Sequence, residues 1–74
     1  MNKFKNTEQL YQTILKEIVY LKNSFENAVI KISKQGTFIK FKGKDEFKDD
    51  RASKVTADAI LELNSISKSE YENF

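Results

Sequence analysis

Val29-Ile30-Lys31-Ile32-Ser33-Lys34-Gln35-Gly36-Thr37-Phe38-Ile39-Lys40-Phe41-Lys42 alternates apolar and polar residues on both sides of Gln35-Gly36. Period-two alternation broken by a glycine-bearing turn is the pattern of a β-hairpin. A two-residue loop at Gln35-Gly36 predicts that Ile32 pairs with Ile39 and Ile30 with Phe41 on one face. The same register sets Lys31 opposite Lys40, and Val29 opposite Lys42, on the other. Like charges directly opposite each other destabilise a ladder. A face carrying Lys31, Lys40, Lys42 and Phe38 therefore reads as shaped for binding rather than for stability.

Upstream of the hairpin, Asn6 and Gln9 have capping-box spacing. Leu10, Ile14, Ile18, Leu21 and Phe25 then recur at three- and four-residue steps, with Tyr11 and Leu15 widening the stripe. This spacing predicts a helix over 7–24, with Tyr20 on its far side. Downstream, Gly43 and the charged run Lys44-Asp45-Glu46-Phe47-Lys48-Asp49-Asp50-Arg51 read as a loop over 43–51. Asp49 or Asp50 is placed to cap a second helix over 52–64. Ala52, Val55, Ala59 and Leu63 form that helix's inward stripe, Leu61 points outward, and Asn64 is the C-terminal cap. Ser67 and Glu70 have capping-box spacing and Ile66 and Tyr71 staple spacing, which predicts a short helix over 67–73.

The expected fold is therefore α+β, a single domain over 1–74. It reads α-β-β-α, with a two-stranded antiparallel hairpin over 28–42 packed on the helices and a short C-terminal helix. Both long helices lie on the Ile30/Ile32/Ile39/Phe41 face and leave the lysine face open. An isolated two-stranded hairpin is marginal, so a third strand from residues 44–48, or from a second subunit, has a place beside it.

At 74 residues and 39% apolar content the chain is near the lower limit for folding alone. It has no Cys and no His, which closes the disulfide route and most metal routes and points to a homodimer or a stabilising partner. A Cys-free chain fits a cytoplasmic setting. No apolar run approaches the ~20 residues of a membrane span, and Met1-Asn2-Lys3-Phe4-Lys5 is basic without a following apolar stretch, so neither membrane nor signal peptide is expected. The net charge of +2 hides an asymmetry. Residues 1–44 hold nine Lys against Glu8, Glu17 and Glu26, a net of +6, whereas residues 45–74 hold four cations against eight carboxylates, a net of −4. Such a split means either a basic binding face or internal complementarity.

The missing residue types exclude thiol nucleophiles, His-based triads and ordinary zinc sites. With only Gly36 and Gly43 there is no phosphate-cradling loop. Asp45, Glu46, Asp49 and Asp50 could supply oxygen ligands to Ca²⁺ or Mg²⁺, but the spacing is not that of an EF-hand and Lys44, Lys48 and Arg51 interrupt it, so the run reads as a solvated loop. Glu46-Phe47-Lys48 resembles the E-x-K half of metal-dependent nuclease sites, which would imply a carboxylate-metal nuclease; the upstream acidic partner is not placed on a strand. Ser53–Leu63 resembles the second helix of double-stranded-RNA-binding domains, with Lys54 matching their basic cluster, but the glycine-rich turn before that helix is not evident.

The sequence thus points to a non-enzymatic binding protein with no cofactor and no metal: a regulator, adaptor or inhibitor of a larger macromolecule, either a protein or a nucleoprotein complex. Its partner-binding candidates are Lys31, Phe38, Lys40, Lys42 and Tyr20. The alternative is a nucleic-acid-binding module using the lysine-rich hairpin face, since lysines meet phosphates and an exposed Phe38 stacks on a base. The Lys, Asn, Ile and Phe richness matches A·T-rich codons, as in a low-GC bacterium, its phage or a mobile element. By analogy this extends to inhibitors of the anti-restriction or anti-CRISPR kind.

Overall fold

The structure, a computed structural model, describes residues 4–50 and 53–74. Ala52 of the expected inward stripe, and Arg51, lie outside the described residues. The order of elements is α1 (Thr7–Ile14), β1 (Val19–Asn23), β2 (Ala28–Ser33), β3 (Gly36–Phe41), β4 (Phe47–Lys48), α2 (Lys54–Glu62), β5 (Asn64–Ser65) and α3 (Lys68–Glu72). The strands form one antiparallel sheet in the order β4-β3-β2-β1-β5. This overturns the α-β-β-α expectation: the hairpin is the middle of a five-stranded sheet, and the helices are interrupted by strands.

The largest correction is at residues 15–24. The helix expected over 7–24 ends at Ile14. The amides of Lys16 and Glu17 both donate to the Thr13 carbonyl at 2.9 Å, which tightens and closes the last turn. The chain then enters β1, where β-branched and aromatic residues favour a pleated surface. Val19, Leu21 and Asn23 are buried, and Tyr20 and Lys22 alternate with them. Ile18, Leu21 and Phe25 continue the helical stripe of Leu10 and Ile14 only in sequence; Ile18 and Phe25 are exposed.

A second correction concerns the hairpin register. Ser33 pairs with Gly36, so the loop is Lys34-Gln35 and not Gln35-Gly36. The pairs are Ile30–Ile39, Lys31–Phe38, Ile32–Thr37 and Val29–Lys40. A mirror-image two-residue turn needs positive φ within the loop, yet Lys34 and Gln35 have none; the positive φ, +134°, falls on Gly36 at the first position of β3. The shift is two residues, so every side chain keeps its face while every partner changes.

One face of the sheet carries the main core. Val19, Leu21, Ala28, Ile30, Ile32 and Ile39 pack with Leu10 of α1, Ala59 of α2 and Phe4, and Val55, Ile60 and Leu63 border them. Burying an aliphatic side chain of this size contributes roughly 1.5–3 kcal/mol. Asn23 is fully buried yet satisfied. Its Oδ1 accepts from the amides of Phe25 (2.9 Å) and Glu26 (3.1 Å), and its Nδ2 donates to the Val55 carbonyl at 2.9 Å. One side chain therefore shapes the β1–β2 turn and ties it to α2.

Asp49 organises the start of α2. Its Oδ2 accepts from the Ser53 amide (2.9 Å), the Ser53 hydroxyl (3.0 Å) and the buried Thr56 hydroxyl (2.6 Å). A carboxylate at a helix N-terminus is also favoured by the helix dipole. The helix ends at Leu63, not Asn64: Leu63 adopts φ +53° and donates to the Ala59 carbonyl at 3.1 Å. A left-handed Leu costs about 1 kcal/mol. Here it turns the chain sharply enough for Asn64 to pair with Lys22 at the sheet edge.

Candidate functional site

The opposite face of the sheet is where the expected binding residues gather. Cross-strand pairing sets Tyr20, Lys31, Phe38 and Lys48 in one row across β1, β2, β3 and β4, and Lys22, Val29 and Lys40 in the next. Lys31 and Lys40 are not opposite each other, so the like-charge strain expected of the hairpin is absent. Lys31 faces aromatic neighbours instead, its Nζ lying 4.8 Å from the centre of the Phe38 ring.

This face is covered from the C-terminus. Ser67 and Glu70 close a reciprocal capping box, the Ser67 hydroxyl accepting from the Glu70 amide at 3.0 Å and Glu70 Oε1 accepting from the Ser67 amide at 3.2 Å. That box starts α3, which lays Tyr71 on the sheet. Tyr71 is 4% exposed, its ring centre 5.2 Å from that of Tyr20. The Nζ groups of Lys31 and Lys40 both sit 5.8 Å from the Tyr71 ring. Lys40 also donates to the carbonyls of Tyr71 (3.3 Å) and Glu72 (2.8 Å), meeting the negative end of the helix. Val29, expected among the exposed apolar residues, is fully buried on this side.

Glu46, from the charged loop, closes the cluster. Its Oε1 accepts the Tyr71 hydroxyl at 2.5 Å and pairs with Lys31 Nζ at 3.0 Å. The hydrogen bond from Tyr71 does most to hold the Glu46 carboxyl below its ordinary pKa; burial opposes this, and Lys31 and Lys40 assist it. Burial, and then the bond to Glu46, pushes the Tyr71 phenol above its ordinary value. Beside the cluster lies an open cleft of about 490 Å³ that includes Ile18, Lys68 and Glu72 in its walls.

Four of the five sequence candidates are thus brought together: Tyr20, Lys31, Phe38 and Lys40. Lys42 stands apart, exposed in the turn after β3. Glu46 of the E-x-K motif is committed to Tyr71 and Lys31, and Lys48 is paired with Asp50 at 3.8 Å. Among the described residues no group of three or more carboxylates is placed to hold a metal ion. Lys54, the residue shared with double-stranded-RNA-binding helices, is exposed at the first position of α2. No described helix is long and apolar enough to cross a membrane.

The sequence reading missed a second surface, made of Leu61, which it expected to point outward, and of Tyr11, Leu15 and Ile18, which it had placed in the helical core stripe. Tyr11 (54% exposed) and Leu61 (75%) share a groove between α1 and α2. Leu15 (69%) lies four residues beyond Tyr11 at the helical end of α1, and it shares an apolar cleft with Ile18 (50%) next to the β2–β3 turn. Leu61, Tyr11, Leu15 and Ile18 thereby form a band running from α2 across α1 to the start of β1. The signal that would have exposed it is the β-branched and aromatic run Ile18-Val19-Tyr20: once that run is a strand, α1 is too short to bury Leu15.

No family model matches the chain, and no curated protein or solved structure matches it.

Proposed function

We propose that this chain is a non-catalytic binding module, a regulator, adaptor or inhibitor, that docks a protein partner through the band Leu61–Tyr11–Leu15–Ile18. The observation that carries the reading is the exposure of four large apolar side chains on so small a molecule, in two clefts that the four-residue spacing of Tyr11 and Leu15 along α1 sets side by side. Scattered exposed apolar residues are ordinary, but a connected patch marks an interaction surface. The strip itself is aromatic and aliphatic, and Lys16, Glu17 and Lys34 border its Leu15–Ile18 end as a rim of mixed charge. That is the composition of an interface core and not of a phosphate-binding surface.

The test uses the Leu15→Glu/Leu61→Glu variant. Both residues are exposed, so its circular dichroism and thermal midpoint are expected to stay close to those of the wild type. Affinity-tagged wild type from cells of the source is expected to retain a protein that the variant loses, read by quantitative mass spectrometry. If the partner is a second copy, sedimentation shows a concentration-dependent dimer that the variant abolishes. Identical captured proteins and identical sedimentation for the two chains would refute the docking role.

A further inference from the structure

On the sheet face opposite the main core, we propose that the strands are a platform for single-stranded nucleic acid that α3 covers as a displaceable strap. The strands themselves contain no Asp and no Glu. Their four lysines, Lys22, Lys31, Lys40 and Lys48, all fall on the α3 side, because their cross-strand partners link them through two adjacent rows. One row reads Tyr20, Lys31, Phe38, Lys48: aromatic, cation, aromatic, cation across four strands. Stacking surfaces interleaved with cations are what a single strand needs, since every base offers a π-face and every link a phosphate.

The carboxylates that quench this face come from elsewhere in the chain. Glu46 reaches in from the loop between β3 and β4 to Lys31, and Asp50, after β4, pairs with Lys48. Tyr71 takes the place that a base would take: it sits against Tyr20 with its ring beneath the ammonium groups of Lys31 and Lys40. The strap is only five residues long. Lifting it frees Tyr20, Lys31 and Lys40, beside a Phe38 that α3 does not cover, without breaking the core, which lies on the other side of the sheet. Single-stranded nucleic acid therefore competes with α3 for one surface. An acidic polypeptide is the less fitting occupant, because it would use the lysines and leave the two rings unstacked.

The test is binding of a labelled oligothymidylate of roughly 10 nucleotides to full-length protein. The wild type is expected to bind weakly and Tyr71→Ala at least about 10-fold more tightly, the equivalent of one lost competing stack. With Lys31, Lys40 and Lys48 engaged, the dependence of log affinity on log salt is expected to have a slope of about −2. Adding Lys31→Glu to Tyr71→Ala is expected to abolish the gain. An abasic oligomer of equal length is expected to bind more weakly than the thymidylate.

Because Tyr71→Ala removes a buried ring, Ser67→Ala provides a charge-neutral second route. It removes the cap of α3 and is expected to raise the affinity about 5-fold, matching a strap loosened by roughly 1 kcal/mol. No gain in either variant, equal binding of the abasic oligomer, or equal binding of polyglutamate overturns the proposal.

Discussion

Glu46 shows how one residue reverses the meaning of its neighbours. It ties Lys31 to Tyr71, and so completes a cluster in which Lys40 is already held by the carbonyls of α3. The carboxyl is held below the ordinary glutamate value of 4.5. A group with a lowered folded pKa contributes stability that is fully present above its unfolded value and is lost as pH falls through the folded one. Glu62 acts with the same sign. Burial pushes its carboxyl up, but the Ser24 hydroxyl at 2.8 Å and amide at 3.1 Å, with Asn64 and Lys22, outweigh this and lower it. Stability is therefore expected to fall below about pH 4.5. Glu46→Gln is expected to flatten part of that fall and to leave the part due to Glu62. The loss at neutral pH should stay below about 1 kcal/mol, since the Lys31–Glu46 pair is partly open to solvent. Urea midpoints of both proteins at pH 7 and pH 3 measure this; equal pH slopes would show that Glu46 carries none of it.

At the scale of elements, what was legible depended on whether a pattern had competitors. The inward placement of Ile30, Ile32 and Ile39 could be read from alternation, because a slip of one residue would expose all three. The register could not, because a slip of two keeps every side chain on its face and leaves the alternation unchanged. β1 was hidden for a related reason: Leu10, Ile14, Ile18, Leu21 and Phe25 fit a helical period, and nothing in that period reveals that the amides of Lys16 and Glu17 close the helix at Thr13. β4 and β5, at two residues each, are too short for periodicity to detect. By contrast the Ser67–Glu70 capping box was legible, since both halves of the motif lie within one turn. Gly36 tests the backbone geometry at the start of β3. Its φ of +134° is unfavourable for any L side chain, and an added Cβ would come 3.2 Å from Cε of Lys48, a flexible atom that can move aside. Strain in the backbone, not crowding, therefore sets the cost. Gly36→Ala is expected to destabilise by about 1–2 kcal/mol, measured by urea denaturation. A neutral effect would show that Gly36 does not hold a positive φ.

Over the whole molecule, the charge imbalance between the two halves of the sequence becomes a relation between layers. The basic first half builds β1, β2 and β3, and places three of its lysines on one side of them. The acidic second half supplies Glu46, which crosses back to Lys31, and α3, whose terminal carbonyls receive Lys40. The complementarity is internal, but it is uneven in strength. On one side α1 and α2 are sealed by a continuous aliphatic core. On the other, α3 rests chiefly on one buried ring, one carboxylate and one lysine. Segments held by few apolar contacts open locally well before the global transition. The Tyr71 and Asn73 amides, bonded to the Ser67 and Ser69 carbonyls at 3.1 and 3.0 Å, are therefore expected to exchange with solvent at least about 100-fold faster than those of Leu21 and Ile30. Native-state hydrogen exchange followed by NMR measures this. In mild urea the α3 amides should show almost no denaturant dependence, the mark of a small local opening, whereas the strand amides should follow the global slope. Equal protection in both would mean that α3 leaves the sheet only when the molecule unfolds. The lysine and aromatic row would then be a buried structural contact and never a surface.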